Sequence, residues 1–87
     1  MTISDLKNLG VRSQKMLAIA GIKTVSQLSA KGSIAAFIAV KQAGCKPSLN
    51  LLWAIEGALT DRHWQEVSKN DRLSLLTQLE VLEKEKS

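Results

Sequence analysis

Aromatic residues are scarce in this chain: Phe37, Trp53 and Trp64 make up 3% of its 87 residues, and tyrosine is absent. An interior must therefore be built from aliphatic side chains, and these are plentiful, since 45% of the residues are apolar. Small and aliphatic residues of this kind suit closely packed helices. Cys45 is the single cysteine, which excludes an internal disulfide and matches the reducing cytoplasm, the location expected for the chain. One histidine and one cysteine cannot supply the four ligands of a structural zinc site, so neither a metal nor another cofactor is expected. No apolar run reaches the ~18 residues a membrane-spanning helix needs, and no membrane partner is expected. The start, Met1 to Asp5, has no basic segment leading into an apolar stretch, so no secretory signal is expected. Strict alternation of apolar and polar residues is nowhere sustained, which argues against strands. A chain of this length makes one domain, expected over residues 1–87, and buries roughly 60–65% of its unfolded surface.

What is present is charge, unevenly placed. Twelve basic and eight acidic side chains give a net +4. Residues 1–55 hold seven of the basic residues and only Asp5 among the acidic ones, whereas residues 56–87 hold five basic and seven acidic. A basic half beside a mildly acidic half fits a one-sided surface for nucleic acid, and equally a small domain kept soluble by lysines.

The punctuation is helical. Thr24 with Gln27 makes a capping-box pair and Ser68 with Asp71 a near relative of one, while Ser33 and Ser48 stand as N-caps before apolar runs. Gly10, Gly21, Gly32 and Gly44 sit where helices end or turns tighten. The pattern predicts an all-α bundle of five or six short helices, over about Ser4–Leu9, Ser13–Ala20, Val25–Ala30, Ile34–Ala43, Leu49–Leu59 and Lys69–Glu85. The helix from Leu49 is apolar almost all round and is expected at the centre. In the last, Leu75, Leu76, Leu79 and Leu82 form the inward stripe, and residues 83–87 are expected to fray.

Leu6-Lys7-Asn8-Leu9-Gly10-Val11-Arg12-Ser13 has the shape of a helix-hairpin-helix: two short helices around a tight turn that holds an apolar residue and a glycine. Gly10 permits positive φ and close approach of the backbone. The helix that follows begins with free N–H groups, a seat for phosphate, and Arg12 and Lys15 add charge on the same track. Such contacts hold nucleic-acid backbone without reading sequence. The usual hairpin has a second glycine where this chain has Asn8, a residue that tolerates the left-handed region. Three readings stand for this corner: a plain helical turn plugged by Leu9, a DNA contact, or a protein contact.

Other residues read as structural. Glu56 inside an apolar helix requires a charge partner or a helix N-terminus, and Gly57 is costly there unless another backbone crosses closely. No second acid or base is placed to make Glu56 catalytic. Cys45 has no activating motif around it, so thiol chemistry with His63 is not expected. His63 reads as a turn residue capping the central helix, Trp64 as an anchor on the final helix, and Trp53 as core. The chain is expected not to be an enzyme.

Val11-Arg12-Ser13, Leu17, Gly21-Ile22 and Thr24-Val25 resemble the C-terminal domain of the bacterial RNA polymerase alpha subunit, which implies that Arg12 reaches toward a DNA minor groove. A broader resemblance runs from about Ile3 to Leu76. Asn8-Leu9-Gly10, Ala20-Gly21-Ile22, Thr24-Val25, Leu28, the run from Ser48 through Gly57-Ala58-Leu59, and His63-Trp64 are similar to the C-terminal domain of the TfoX/Sxy competence regulators. That resemblance implies a helical, helix-hairpin-helix-like domain linked to control of DNA uptake, where TfoX proteins assist a cyclic-AMP receptor protein at competence promoters. The family often has proline where this chain has Val11 and glycine where it has Asp61. It also carries an α/β domain ahead of this module, so a protein bearing that domain is an expected partner, beside double-stranded DNA or a transcription factor. The residues expected to meet DNA are Lys7, Asn8, Gly10, Arg12, Ser13, Lys15 and Lys23. The alternative is a protein–protein adaptor that binds no DNA and docks a partner on its acidic last helix.

Overall fold

Gly21, Gly32 and Gly44 take positive φ of 88°, 85° and 95°, and at each of them one helix stops. The structure, a computed structural model, describes residues 2–86. A 3₁₀ turn at Ile3–Asp5 leads into α1 (Val11–Ile19), α2 (Val25–Lys31), α3 (Ser33–Gln42), α4 (Leu49–Thr60), α5 (Trp64–Asn70) and α6 (Arg72–Lys86). The all-helical expectation holds, and no strand occurs among the described residues. Of the segment expected to fray, α6 continues through Lys86, and Ser87 lies outside the described residues.

Several local expectations hold. Thr24 Oγ1 accepts from Gln27 N at 3.1 Å while Gln27 Oε1 accepts from Thr24 N at 3.2 Å, the reciprocal cap read from the sequence. The apolar helix α4 buries Leu51, Leu52, Trp53, Ala54 and Ile55. Complete burial of a residue such as Leu52 or Ile55 stabilises the fold by about 1.5–3 kcal/mol. The centre is shared, however: α3 buries Ile34, Phe37, Ile38 and Val40 and is the helix that touches α1, α2, α4 and α6, while α4 packs on α3 and α5. Leu9 plugs the core from the corner before α1, and Leu75 and Leu79 close it from α6.

Other expectations are corrected. The first helix, expected over Ser4–Leu9, is only the 3₁₀ turn, because Leu6 is already extended (ψ 150°) and Asn8 has φ 72°. So short a segment cannot meet the cost of helix nucleation against those conformations. Gly10 does not take positive φ; it is extended at φ −126° and forms the N-cap of α1. Gly32, not Ser33, is the N-cap of α3, and the Ser33 hydroxyl donates to Glu56 Oε1 at 2.8 Å. Ser68 lies inside α5 and caps nothing. The last expected helix, Lys69–Glu85, is α6 beginning at Arg72, and the short α5 (Trp64–Asn70) before it is a helix the sequence pattern does not predict. His63 caps the start of α5 rather than the end of α4, its Nδ1 accepting from Gln65 N at 3.2 Å, and Trp64 begins α5 rather than sitting on the final helix.

Candidate nucleic-acid interface

The corner that leads into α1 is held by one side chain. Asn8 Nδ2 donates to the Arg62 carbonyl oxygen at 2.7 Å, and Asn8 Oδ1 accepts from Trp64 N at 3.1 Å. The amide thus clamps the α4–α5 loop and satisfies the first N–H of α5. Gly57 lies beneath this clamp, where a methyl group would collide with Asn8 Nδ2 and the Arg62 carbonyl oxygen. The close crossing anticipated from a glycine in an apolar helix is therefore present. Glu56, its neighbour, finds the partners its position demanded: the Ser33 hydroxyl at the start of α3, and the Arg62 guanidinium at 3.9 Å.

Arg62 joins three elements. Its Nε donates to Thr60 Oγ1 at 3.0 Å and its Nη2 bonds Asp71 Oδ2 at the α5–α6 break. The guanidinium holds the Asp71 carboxyl below the usual carboxylate range, and the same bond raises the Arg62 guanidinium above its ordinary value. This network fixes the loop that Asn8 grips.

With Gly10 as N-cap, α1 has no side-chain cap, and its first turn contains no carboxylate. The N–H groups of Val11, Arg12 and Ser13 meet no acceptor among the described residues. At the other side of that turn, Gln14 Oε1 accepts from Ser4 N at 2.8 Å and ties the 3₁₀ turn to α1. Space beside Gly10 is open. The free amide dipoles and the absence of negative charge favour an anion at this helix start.

The expected site residues divide into groups. Arg12 and Lys15 are exposed and about one turn apart on α1; Lys7 is exposed in the turn before it; Ser13 is half-buried. Lys23 is exposed beyond the far end of α1, which lies about 10 Å of helix from Arg12. None of Lys7, Arg12, Lys15 and Lys23 pairs with a carboxylate among the described residues, whereas Lys41 is engaged by Glu83 at 3.2 Å. Asn8 is placed at the corner, but its amide is occupied by the Arg62 and Trp64 backbone.

Three of the expected residues, Asn8, Arg12 and Ser13, line a surface cleft of about 490 Å³. Lys7, Lys15 and Lys23 lie outside it. The cleft is also lined by Lys46, Ser48 and Asn50, from the α3–α4 loop and the start of α4. These were absent from the sequence reading of the site. The signal that points to them is modest: a lysine two residues before Ser48, at the start of a helix whose first turn also has no acid.

Comparison with known proteins converges on one module. The family described as the TfoX C-terminal domain matches residues 1–79. The "DNA transformation protein TfoX" of Haemophilus influenzae is 29% identical over 77 residues, covering 88% of this chain and 36% of that protein. The chain thus spans about a third of the curated relative's length. A crystal structure of an uncharacterized protein from Listeria monocytogenes superposes with a TM-score of 0.82 at 29% identity, covering 95% of this chain and 94% of that one.

Proposed function

Because the chain belongs to the TfoX C-terminal domain family, we propose that it is a non-enzymatic accessory regulator of DNA uptake that contacts the DNA backbone through the corner at α1. The observation that carries this reading is the start of α1: free amides, no carboxylate in the first turn, and the exposed cations Arg12 and Lys15 beside it. Lys7 and Lys23 extend the positive surface on either side. Such a face binds phosphates through charge and amide dipoles, so it discriminates little between sequences.

Duplex titrations at several salt concentrations test this. Four phosphate contacts give a slope of log affinity against log salt of about −3 to −4. Arg12→Ala and Lys15→Ala each reduce that slope by about one and weaken all duplexes alike. Absence of binding at low salt overturns the reading and leaves the protein-adaptor alternative, for which the exposed Leu73 and Val81 on α6 are the docking residues.

A further inference from the structure

The cleft beside α1 has a composition that backbone phosphates do not require. It is lined by the polar Arg12, Ser13, Lys46, Ser48 and Asn50 together with the apolar Met16, Pro47, Leu51, Ala54 and Trp64. No carboxylate lines it. Apart from Asn8, none of its polar side chains makes a hydrogen bond with the rest of the protein among the described residues: the Ser13 and Ser48 hydroxyls, the Asn50 amide, the Trp64 indole N–H and both cations are unengaged. A volume of about 490 Å³ is within the ordinary range for a ligand site. A duplex presents phosphates on a convex ridge and offers nothing to fill an apolar recess.

We propose that this cleft binds an acidic peptide segment of a partner protein, one that carries an apolar side chain among its carboxylates. Arg12 and Lys46 hold the carboxylates across the mouth. The apolar side chain enters against Met16, Leu51, Ala54 and Trp64. The free hydroxyls and the Asn50 amide take the peptide backbone. Charge complementarity selects the partner's sign, and the apolar wall selects a peptide over bare phosphate. Single-stranded nucleic acid is disfavoured because only one aromatic residue, Trp64, lines the cleft, whereas strand-binding grooves stack successive bases on several rings. This inference shares Arg12 with the DNA reading but not Lys7, Lys15 or Lys23, which lie outside the cleft, so variants at those lysines separate the two.

The test uses the full chain and a fluorescein-labelled peptide of acidic residues flanking a central phenylalanine, followed by anisotropy. Saturable binding is expected, with NMR shifts at the Arg12, Ser13 and Asn50 amides and the Trp64 indole. Lys46 is exposed, so Lys46→Glu leaves the fold intact and weakens the peptide about tenfold. Lys23→Ala weakens duplex DNA and leaves the peptide unchanged. A peptide with the phenylalanine replaced by glycine binds several-fold more weakly. The proposal is overturned if no saturable binding occurs, if the glycine peptide binds equally well, if Lys46→Glu has no effect, or if a short single-stranded oligonucleotide shifts the Trp64 indole while the peptide does not. Loss of peptide binding alone, with the DNA salt slope intact, overturns this inference and not the DNA reading.

Discussion

Asn8 and Asp61, at φ 72° and 56°, are the non-glycine residues with positive φ among those described. The usual helix-hairpin-helix has glycine at the first, and the family resembled often has glycine at the second. At Asp61 the chain leaves α4 through a left-handed residue, and Arg62 N reaches back to the Gly57 carbonyl at 2.7 Å, closing the helix end. At Asn8 the strain is offset by two hydrogen bonds that glycine does not make. Asn8→Ala is expected to lower stability by about 2–3 kcal/mol, because it loses both bonds and keeps the strained backbone. Asn8→Gly is expected to lose only about 1–2 kcal/mol. Urea unfolding of the two variants gives both figures, and equal losses would mean that the backbone at this position carries no strain. The need for a close crossing at Gly57 was legible in the sequence; its partners were not, since Asn8 and Gly57 meet only once the chain has folded.

Helices whose signals are local were read almost to the residue. The Thr24–Gln27 cap and the apolar runs of α3 and α4 lie within single segments, so periodicity and capping chemistry suffice. Elements stabilised from a distance were missed. The seven-residue α5 begins where Asn8 satisfies the Trp64 amide, and it parts from α6 where Asp71 turns to Arg62. Neither event leaves a mark in the neighbouring sequence. The basic corner was half legible for the same reason: Arg12 and Lys15 are three residues apart in the chain, but Lys46 and Asn50 arrive by folding. The start of α1 offers a direct check on its geometry. Val11 is the first helical residue, its amide is unbonded among the described residues, and the preceding Gly10 is extended, which a following proline tolerates. Val11→Pro should therefore raise stability by about 0.5–1 kcal/mol in thermal unfolding. A loss of similar size would show that this amide is already engaged.

For the molecule as a whole, the balance of charge makes acid the vulnerable direction. The Asp71 carboxyl is held low by its hydrogen bond to Arg62, and Asp5 is held low by the backbone and hydroxyl of Thr2. A depressed carboxylate contributes stability above its unfolded value, about 3.9, and that contribution disappears as pH falls through the folded value. Protonating acids on a chain that already carries +4 adds self-repulsion. Urea midpoints are thus expected to hold steady from neutrality down to about pH 5 and to fall below about pH 4. Asp71→Asn lowers the neutral-pH midpoint and flattens the acid limb. An unchanged acid limb in that variant would place the sensitivity in other carboxylates.

The clamp by Asn8 also imposes an order of assembly. Residue 8 leaves the ribosome before its hydrogen-bonding partners at residues 62 and 64, which emerge only after α4 has been made. Until then nothing holds the Asn8 amide across the loop. The corner before α1 therefore matures only after α4 and the start of α5 have been made, when helices α1 to α4 are already available to receive it.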